Sequence, residues 1–415
     1  MEKSNFRKFM LLWAGQLVSA IGGGFTSFGL GVYVFQKTGS AAGMALVTLL
    51  GFLPTLLLSV PAGVLADRYD RRLLMMLGDG LSAAGVLYIL ICMMNDGASI
   101  LQIGIGVTVT AVFSSLLDPA YKATVTDLLT ADEYSKASGL VSLAGSARYL
   151  VSPIIAGIML TVGDIKLLLI IDICTFILTV LTTFVVRKGI TKAETTEKIS
   201  FRESLKGGWN AIHQRRGVFL LVLVSSILTL FIGVFQILAE PLVLSMADAR
   251  TLGITETICA CGMLVSSMYL GIRGIKSGYV KILSLSIALA GVFILGFGVF
   301  ESILFITLSG FGFFLMLPFA NNCLDYLVRT NTPIEVQGRV WGIVGFLSQI
   351  GYVIAYGFSG VIADGIAKYG GISVGRGAGM VMAFAGVALV IVSMGMLFVK
   401  EIRLLESRTG GEERC

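Results

Sequence analysis

Charge is the first scarcity in this sequence. Asp, Glu, Lys and Arg make up 13% of its 415 residues, while hydrophobic residues reach 56% and the mean hydropathy is +0.90. A soluble domain carries roughly 25% charged residues, and a water-facing surface cannot be built from so few. Histidine occurs once, as His213, which excludes a histidine-rich metal centre or a Ser/His pair inside the apolar segments. The six cysteines (Cys92, Cys174, Cys259, Cys261, Cys323, Cys415) lie mostly in apolar runs and form no disulfide framework. Cys259 and Cys261 have no histidine or third cysteine nearby, so they read as small helix residues rather than metal ligands. No Gly-x-x-x-x-Gly-Lys-Ser/Thr loop is present, so no nucleotide-driven motor is expected. A membrane-embedded enzyme would need a catalytic cluster, and a channel a repeated filter or charged rings; neither is visible.

Long apolar runs are abundant. They fall at about 10–35, 42–66, 73–94, 99–118, 139–161 and 167–186, then at about 217–240, 252–272, 282–300, 302–320, 338–363 and 378–399. Each is near the roughly 20 residues that cross a bilayer as a helix, and in lipid an uninterrupted segment can satisfy its backbone only as a helix. Glycine is also plentiful, at 51 residues. Helices in lipid gain nothing from burying apolar surface against each other, so small residues at their interfaces allow close approach. The polar stretch Met1–Lys8 is too short to open a cleaved signal peptide, so the first run is expected to remain a helix.

The one long polar stretch, residues 187–216, divides six runs from six. Its Phe201, Leu205 and Trp209 are spaced for an amphipathic helix at the membrane surface. The expected organisation is a six-helix half over 1–186, a linker over 187–216, a second half over 217–399 and a tail over 400–415. With the termini cytoplasmic, 31 Lys and Arg fall on the inner side except Lys37, Lys166, Arg250, Lys368 and Arg376 outside and Arg148 within a run. This bias predicts an even number of spans with both ends inside. The excess positive charge then reads as a topology signal and an attraction to anionic lipid, not as a nucleic-acid footprint. The fold class is therefore an all-α membrane protein of twelve transmembrane helices in two halves. A weak internal repeat supports the division: Gly63-Val64-Leu65-Ala66 corresponds to Gly271-Ile272-Arg273-Gly274, and the segment from Pro119-Ala120 to one from Pro318-Phe319. Parallel repeats of this kind place a substrate site at their interface near the midplane.

Between the second and third runs the chain reads Gly63-Val-Leu-Ala-Asp67-Arg68-Tyr-Asp70-Arg71-Arg72. A charge cluster that only anchors a loop needs neither the glycine nor Asp67. Gly63 suits close packing where the second helix ends. Asp67 offers an anion to a helix N-terminus, and the eleventh run starts on the same side near Gly338. A contact between them would latch the two halves on the inside, and its loss would open the pathway to the cytoplasm.

This decapeptide resembles the Gly-x-Leu-Ala-Asp-Arg-x-Gly/Asp-Arg-Arg signature of the major facilitator superfamily. The resemblance extends over the chain, with a weaker echo, GIRGIKSGYVK, that lacks the acidic residue. Within that superfamily the chain is similar to the macrolide-efflux group. The matching residues are Trp13-Ala14-Gly15-Gln16, Lys37-Thr38-Gly39-Ser40-Ala41, Leu50-Gly51-Phe52-Leu53-Pro54, Val151-Ser152-Pro153, Ile171-Asp172 and Gly338-Arg339-Val340. The resemblance implies the major facilitator fold in a bacterial cytoplasmic membrane, and export of an amphipathic substrate against protons with no bound cofactor. Residues 148–157 are similar to the Gly-Pro-x-x-Gly-Gly pattern of exporters, with Ser152 and Ala156 replacing two of its glycines. There Pro153 can kink the helix, while Ala156 and Gly157 keep a close-packing face.

Ionisable groups inside spans are costly and usually face a cavity or a partner. Arg148 is the leading candidate, as a cavity cation or as the ion-pair partner of Asp172. Asp172 and Glu240 are candidates for the coupling proton, with Glu240 expected where the seventh helix ends at the outer surface. Asp325 is expected to cap or anchor a helix end. The first run carries no acid. By residue type, Phe25, Tyr33, Phe235, Gln236, Trp341, Gln349 and Tyr352 could line a cavity for large amphipathic molecules. A siderophore or lysophospholipid exporter, and a membrane sensor derived from a transporter, are the competing readings. One chain contains both halves, so a monomer is expected.

Overall fold

A computed structural model of the chain describes residues 5–95, 97–187, 213, 216–332 and 337–409. In chain order the helices are α1 (Phe6–Thr38), α2 (Ala41–Arg68), α3 (Arg71–Met94), α4 (Ile100–Ser114), α5 (Leu117–Leu128), α6 (Tyr134–Leu150), α7 (Ser152–Val162) and α8 (Ile165–Arg187). They continue with α9 (Arg216–Leu244), α10 (Ala249–Arg273), α11 (Tyr279–Val299), α12 (Ile303–Thr330), α13 (Gln337–Gly370), α14 (Val374–Phe398) and α15 (Lys400–Thr409). Among the described residues twelve segments are long and apolar enough to cross a membrane, with α4–α5 and α6–α7 each forming one of them. The amphipathic helix expected over Phe201–Trp209 lies outside the described residues.

Helix ends are set by local chemistry. Asp70 accepts the N–H groups of Arg72 and Leu73 to start α3, and Ser99 and Gln102 form a reciprocal capping box at α4, supplying partners that the first turn of a helix otherwise lacks. Gly39 closes α1 in the left-handed region at φ 61°, a conformation that costs glycine no steric penalty. The fifth span breaks at Val151, and Pro153 sits in the first turn of α7, where a missing N–H is tolerated.

Three helices run past the expected limits. α12 carries Asp325 within it and ends at Thr330, so Asp325 is not at a helix end. α9 continues through Pro241 to Leu244, so Glu240 lies inside the helix, half-buried, rather than at its terminus. The fourth span extends to Leu128.

The chain divides into two compact units: Met1–Gly39 with Leu46–Thr196 and Ala247–Thr257, and Ser40–Ala45 with Glu197–Met246 and Ile258–Cys415. The start of α2 therefore groups with the second unit, and the start of α10 with the first. In the first unit Phe9, Leu12, Leu74, Met75, Tyr121 and Leu128 form a buried core below the charged turn that precedes α3. In the second, Phe235 stacks on Phe313 at 4.7 Å and meets Phe297 edge-on at 4.7 Å. Glycine permits backbone contact between α11 and α14. A Cβ at Gly291 would lie 2.7 Å from the Gly386 carbonyl, and one at Gly386 would lie 2.5 Å from the Gly291 carbonyl.

Candidate functional site

The charged turn after α2 is a network rather than an isolated latch. Arg71 binds Asp127 at 2.6 Å and donates to the carbonyls of Ala66 and Ala123; Arg72, which is buried, faces the same carboxylate at 3.7 Å. Asp70 caps α3 and accepts the Arg187 guanidinium at 3.0 Å. Five charged side chains thus tie α3 to α5 and α8. Asp67 and Arg68 are exposed. A side chain at Gly63 would meet no atom of the described residues within 4 Å.

The exporter-like segment packs on backbone. A Cβ at Gly157 would lie 2.6 Å from the Ala249 carbonyl, and Gly253 abuts the Pro153 carbonyl, so α7 and the start of α10 meet without intervening side chains. Ser152, at a position where the exporter pattern has glycine, turns its hydroxyl to the Ile21 carbonyl of α1 at 3.0 Å.

The intramembrane charges separate. Arg148 is exposed and donates to Ser27 Oγ at 2.6 Å. It makes no direct ion pair with Asp172. The carboxylate already has hydroxyl partners of its own. Asp172, 1% exposed, accepts the Thr26 hydroxyl at 2.5 Å and the Thr175 hydroxyl at 3.4 Å, which holds it between α1 and α8.

The expected cavity residues diverge in the same way. Phe25 and Phe235 are buried, and Phe235 belongs to the aromatic core of the second unit; they are packing residues rather than open walls. Tyr33, near the end of α1, lines a surface crevice of about 360 Å³ with Met93, Met94, Gly97, Asp164, Ile165 and Lys166. Gln236 is exposed on α9 and accepts the Tyr356 hydroxyl, while Tyr352 sits 5.7 Å from Tyr356 by ring centroid. Trp341 and Gln349 are half-buried on α13. The pairing of α9 with α13 at Gly233, where a Cβ would lie 2.6 Å from Ala355 Cβ, brings Gln236, Tyr352 and Tyr356 to one face. Among the described residues no three His, Cys, Asp or Glu side chains gather as a metal site.

Residues 12–356 match the family described as the Major Facilitator Superfamily. The chain belongs to this superfamily. Among curated relatives of this superfamily member, Macrolide efflux protein A of Streptococcus pyogenes is 26% identical over 98% of this chain and 100% of its own. The Staphyloferrin A transporter of Staphylococcus aureus (strain NCTC 8325 / PS 47) is 23% identical over 78% of this chain and 81% of its own. Two solved structures share the fold. A bacterial homologue of the human lysosomal transporter Spinster, inward-facing and occupied, has a TM-score of 0.74 at 12% identity, over 99% of this chain and 98% of that one. A bacterial homologue of the iron transporter ferroportin, inward-facing, has 0.72 at 14%, over 94% and 100%. The chain is thus a multi-pass membrane transporter of the major facilitator fold.

Three acids of this transporter were not anticipated as site residues. Asp79 on α3 is as buried as Asp172. Its signal in the sequence is plain: it is the one acid inside the third apolar run. Asp364 on α13 accepts the hydroxyl of Ser40 at 2.5 Å and the backbone N–H groups of Ala41 and Ala42 at 2.9 and 3.0 Å, and so caps α2. Glu406 on α15 accepts the N–H of Tyr279 at the start of α11. These two cap helices distant in sequence, and local spacing carries no trace of that.

Proposed function

We propose that this chain is a secondary active exporter of amphipathic, macrolide-like compounds, driven by proton antiport with alternating access in a bacterial cytoplasmic membrane. The observation that carries this reading is the end-to-end similarity to Macrolide efflux protein A. Supporting it, the first unit holds carboxyl groups at depths where only a coupling or structural role offsets their cost, with Asp172 set between Thr26 and Thr175. The termini are assigned to the cytoplasm by the placement of Lys and Arg. Asp67 is assigned the inner latch to the start of α13, with Arg148 as a cation available to substrate.

The test is accumulation of labelled erythromycin in an efflux-deficient bacterium, with and without a protonophore. Wild type lowers accumulation, and the protonophore and Asp67→Asn, at equal membrane abundance, both abolish the effect. Unchanged accumulation in the wild type removes the macrolide assignment. Similarity to the Staphyloferrin A transporter then makes a siderophore the next substrate class to assay.

A further inference from the structure

Asp79 differs from every other buried acid described above in what surrounds it. It lies on α3, 1% exposed, and neither carboxylate oxygen has a hydrogen-bond partner among the described residues. Its polar neighbours are Gln16 on α1 and Thr179 on α8. The Thr179 hydroxyl is committed to the Phe176 carbonyl at 2.8 Å. The Gln16 amide nitrogen is buried and has no acceptor. A carboxyl without partners therefore sits beside an amide donor without a partner, between three membrane-spanning helices.

An isolated carboxylate in such a place is strongly disfavoured even after the protein relaxes. The cost disappears when the group binds a cation. A hard metal ion needs several oxygen ligands; here Asp79, Thr179 and the Gln16 side chain are the polar groups at hand, and among the described residues no cluster of three or more acids gathers. A proton needs only the carboxyl itself. The charged group that faces Asp79 is Asp172, across α8. On the other helices packed against α3, Asp118 pairs with Lys122, Asp127 serves Arg71 and Arg72, and Tyr121 is buried in the core beside Met75. On α8, Lys166 pairs with Asp164 and Arg187 with Asp70, and among the described residues no cation pairs with Asp79.

We propose that Asp79 is a proton-binding carboxyl of the first unit, and that Gln16 is the donor that holds its carboxylate once the proton has left. An O–H bond forms on one Asp79 oxygen with a proton taken from water on one side of the membrane. The same bond breaks when the proton is delivered to the other side, and no other bond changes. Loss of the proton leaves a charge beside the unpaired Gln16 amide, so deprotonation pulls α1 toward α3. Asp172, already held by two hydroxyls, responds less. This assignment rests on the proton-antiport reading for its role in transport, but not for the proton site itself.

Two measurements on the full-length protein separate these claims. Infrared difference spectroscopy between neutral and alkaline pH reads the carbonyl stretch of protonated carboxylic acids without any substrate. Wild type and Asp172→Asn show a band that Asp79→Asn lacks; a band unchanged by Asp79→Asn overturns the proposal. In proteoliposomes, erythromycin transport driven by an imposed pH gradient falls by about tenfold or more in Asp79→Asn, the scale of one lost charge-assisted interaction, while gradient-free erythromycin exchange persists. Gln16→Leu keeps the infrared band and loses gradient-driven transport to a similar degree. Gradient-driven transport that persists in Asp79→Asn overturns the proposal, as does transport that follows sodium rather than pH. A wild type with the infrared band but no gradient-driven erythromycin transport leaves the proton site standing and removes the antiport reading.

Discussion

After α2 the chain turns through Tyr69 and Asp70 into α3, and after α10 it turns through Gly274 to Gly278 into α11. Arg71 and Tyr279 open those helices at matching distances from Gly63 and Gly271. The two turns solve one problem, the unpaired N–H groups of a first helical turn, with different chemistry. In the first, Asp70 supplies the cap locally, and the surrounding arginines lock it to α5 and α8. In the second, Gly278 is left-handed at φ 79° and offers no side chain. The carboxylate comes instead from Glu406, 127 residues further on, at 3.0 Å, while the Tyr279 ring stacks on Tyr326 at 3.6 Å. The second turn lacks an acid in its own sequence but not in its structure. A signature that degenerates in one repeat can keep its physical role through a residue from elsewhere.

Five outcomes would sharpen or break this contrast, each read as a change in unfolding free energy of the purified protein in detergent. Asp127→Ala should cost the most, about 3 kcal/mol, because it leaves Arg72 buried without a counter-ion; a loss under 1 kcal/mol would show the network to be ornamental. Asp70→Ala should cost about 1–2 kcal/mol through the lost cap, with faster hydrogen exchange confined to the first turn of α3. Glu406→Ala should cost about 1 kcal/mol and speed exchange at the start of α11 alone. The double variant Asp70→Ala, Glu406→Ala should be additive within about 0.5 kcal/mol, and a larger coupling would deny that the two turns are independent. The smallest effect is salt. High ionic strength should weaken the exposed Arg187–Asp70 pair by a few tenths of a kcal/mol and leave the Tyr279–Tyr326 stack unmoved.

Much of this fold is legible from hydropathy, because a span must be long, apolar and helical whatever it touches. Each apolar run reappears as a helix or a broken helix pair. What hydropathy cannot see is partners. Asp325 and Glu240 look terminal because polarity rises around them, yet both lie within continuous helices. Arg148 and Asp172 look like an ion pair by their spacing, yet Ser27 and Thr26 take them separately. Phe235 suits a cavity wall by type, but three neighbouring rings enclose it. Asp79 was readable as an acid in an apolar run, but its distinguishing property, a buried carboxyl beside the unpaired Gln16 amide, exists only once α1, α3 and α8 are assembled. Asp364 and Glu406 cap helices whose sequences give no hint of them.

The cap at Asp364 has a practical consequence for mapping which face of the membrane each turn occupies. The link between α1 and α2 is only Gly39 and Ser40, and Ser40, Ala41 and Ala42 all bond to one carboxylate. A reporter cysteine or epitope inserted there would prise off the start of α2 and report on damaged protein. Gly163 and Asp164, exposed between α7 and α8, lie on the same predicted side and carry no such tether, so a label placed there reads topology cleanly.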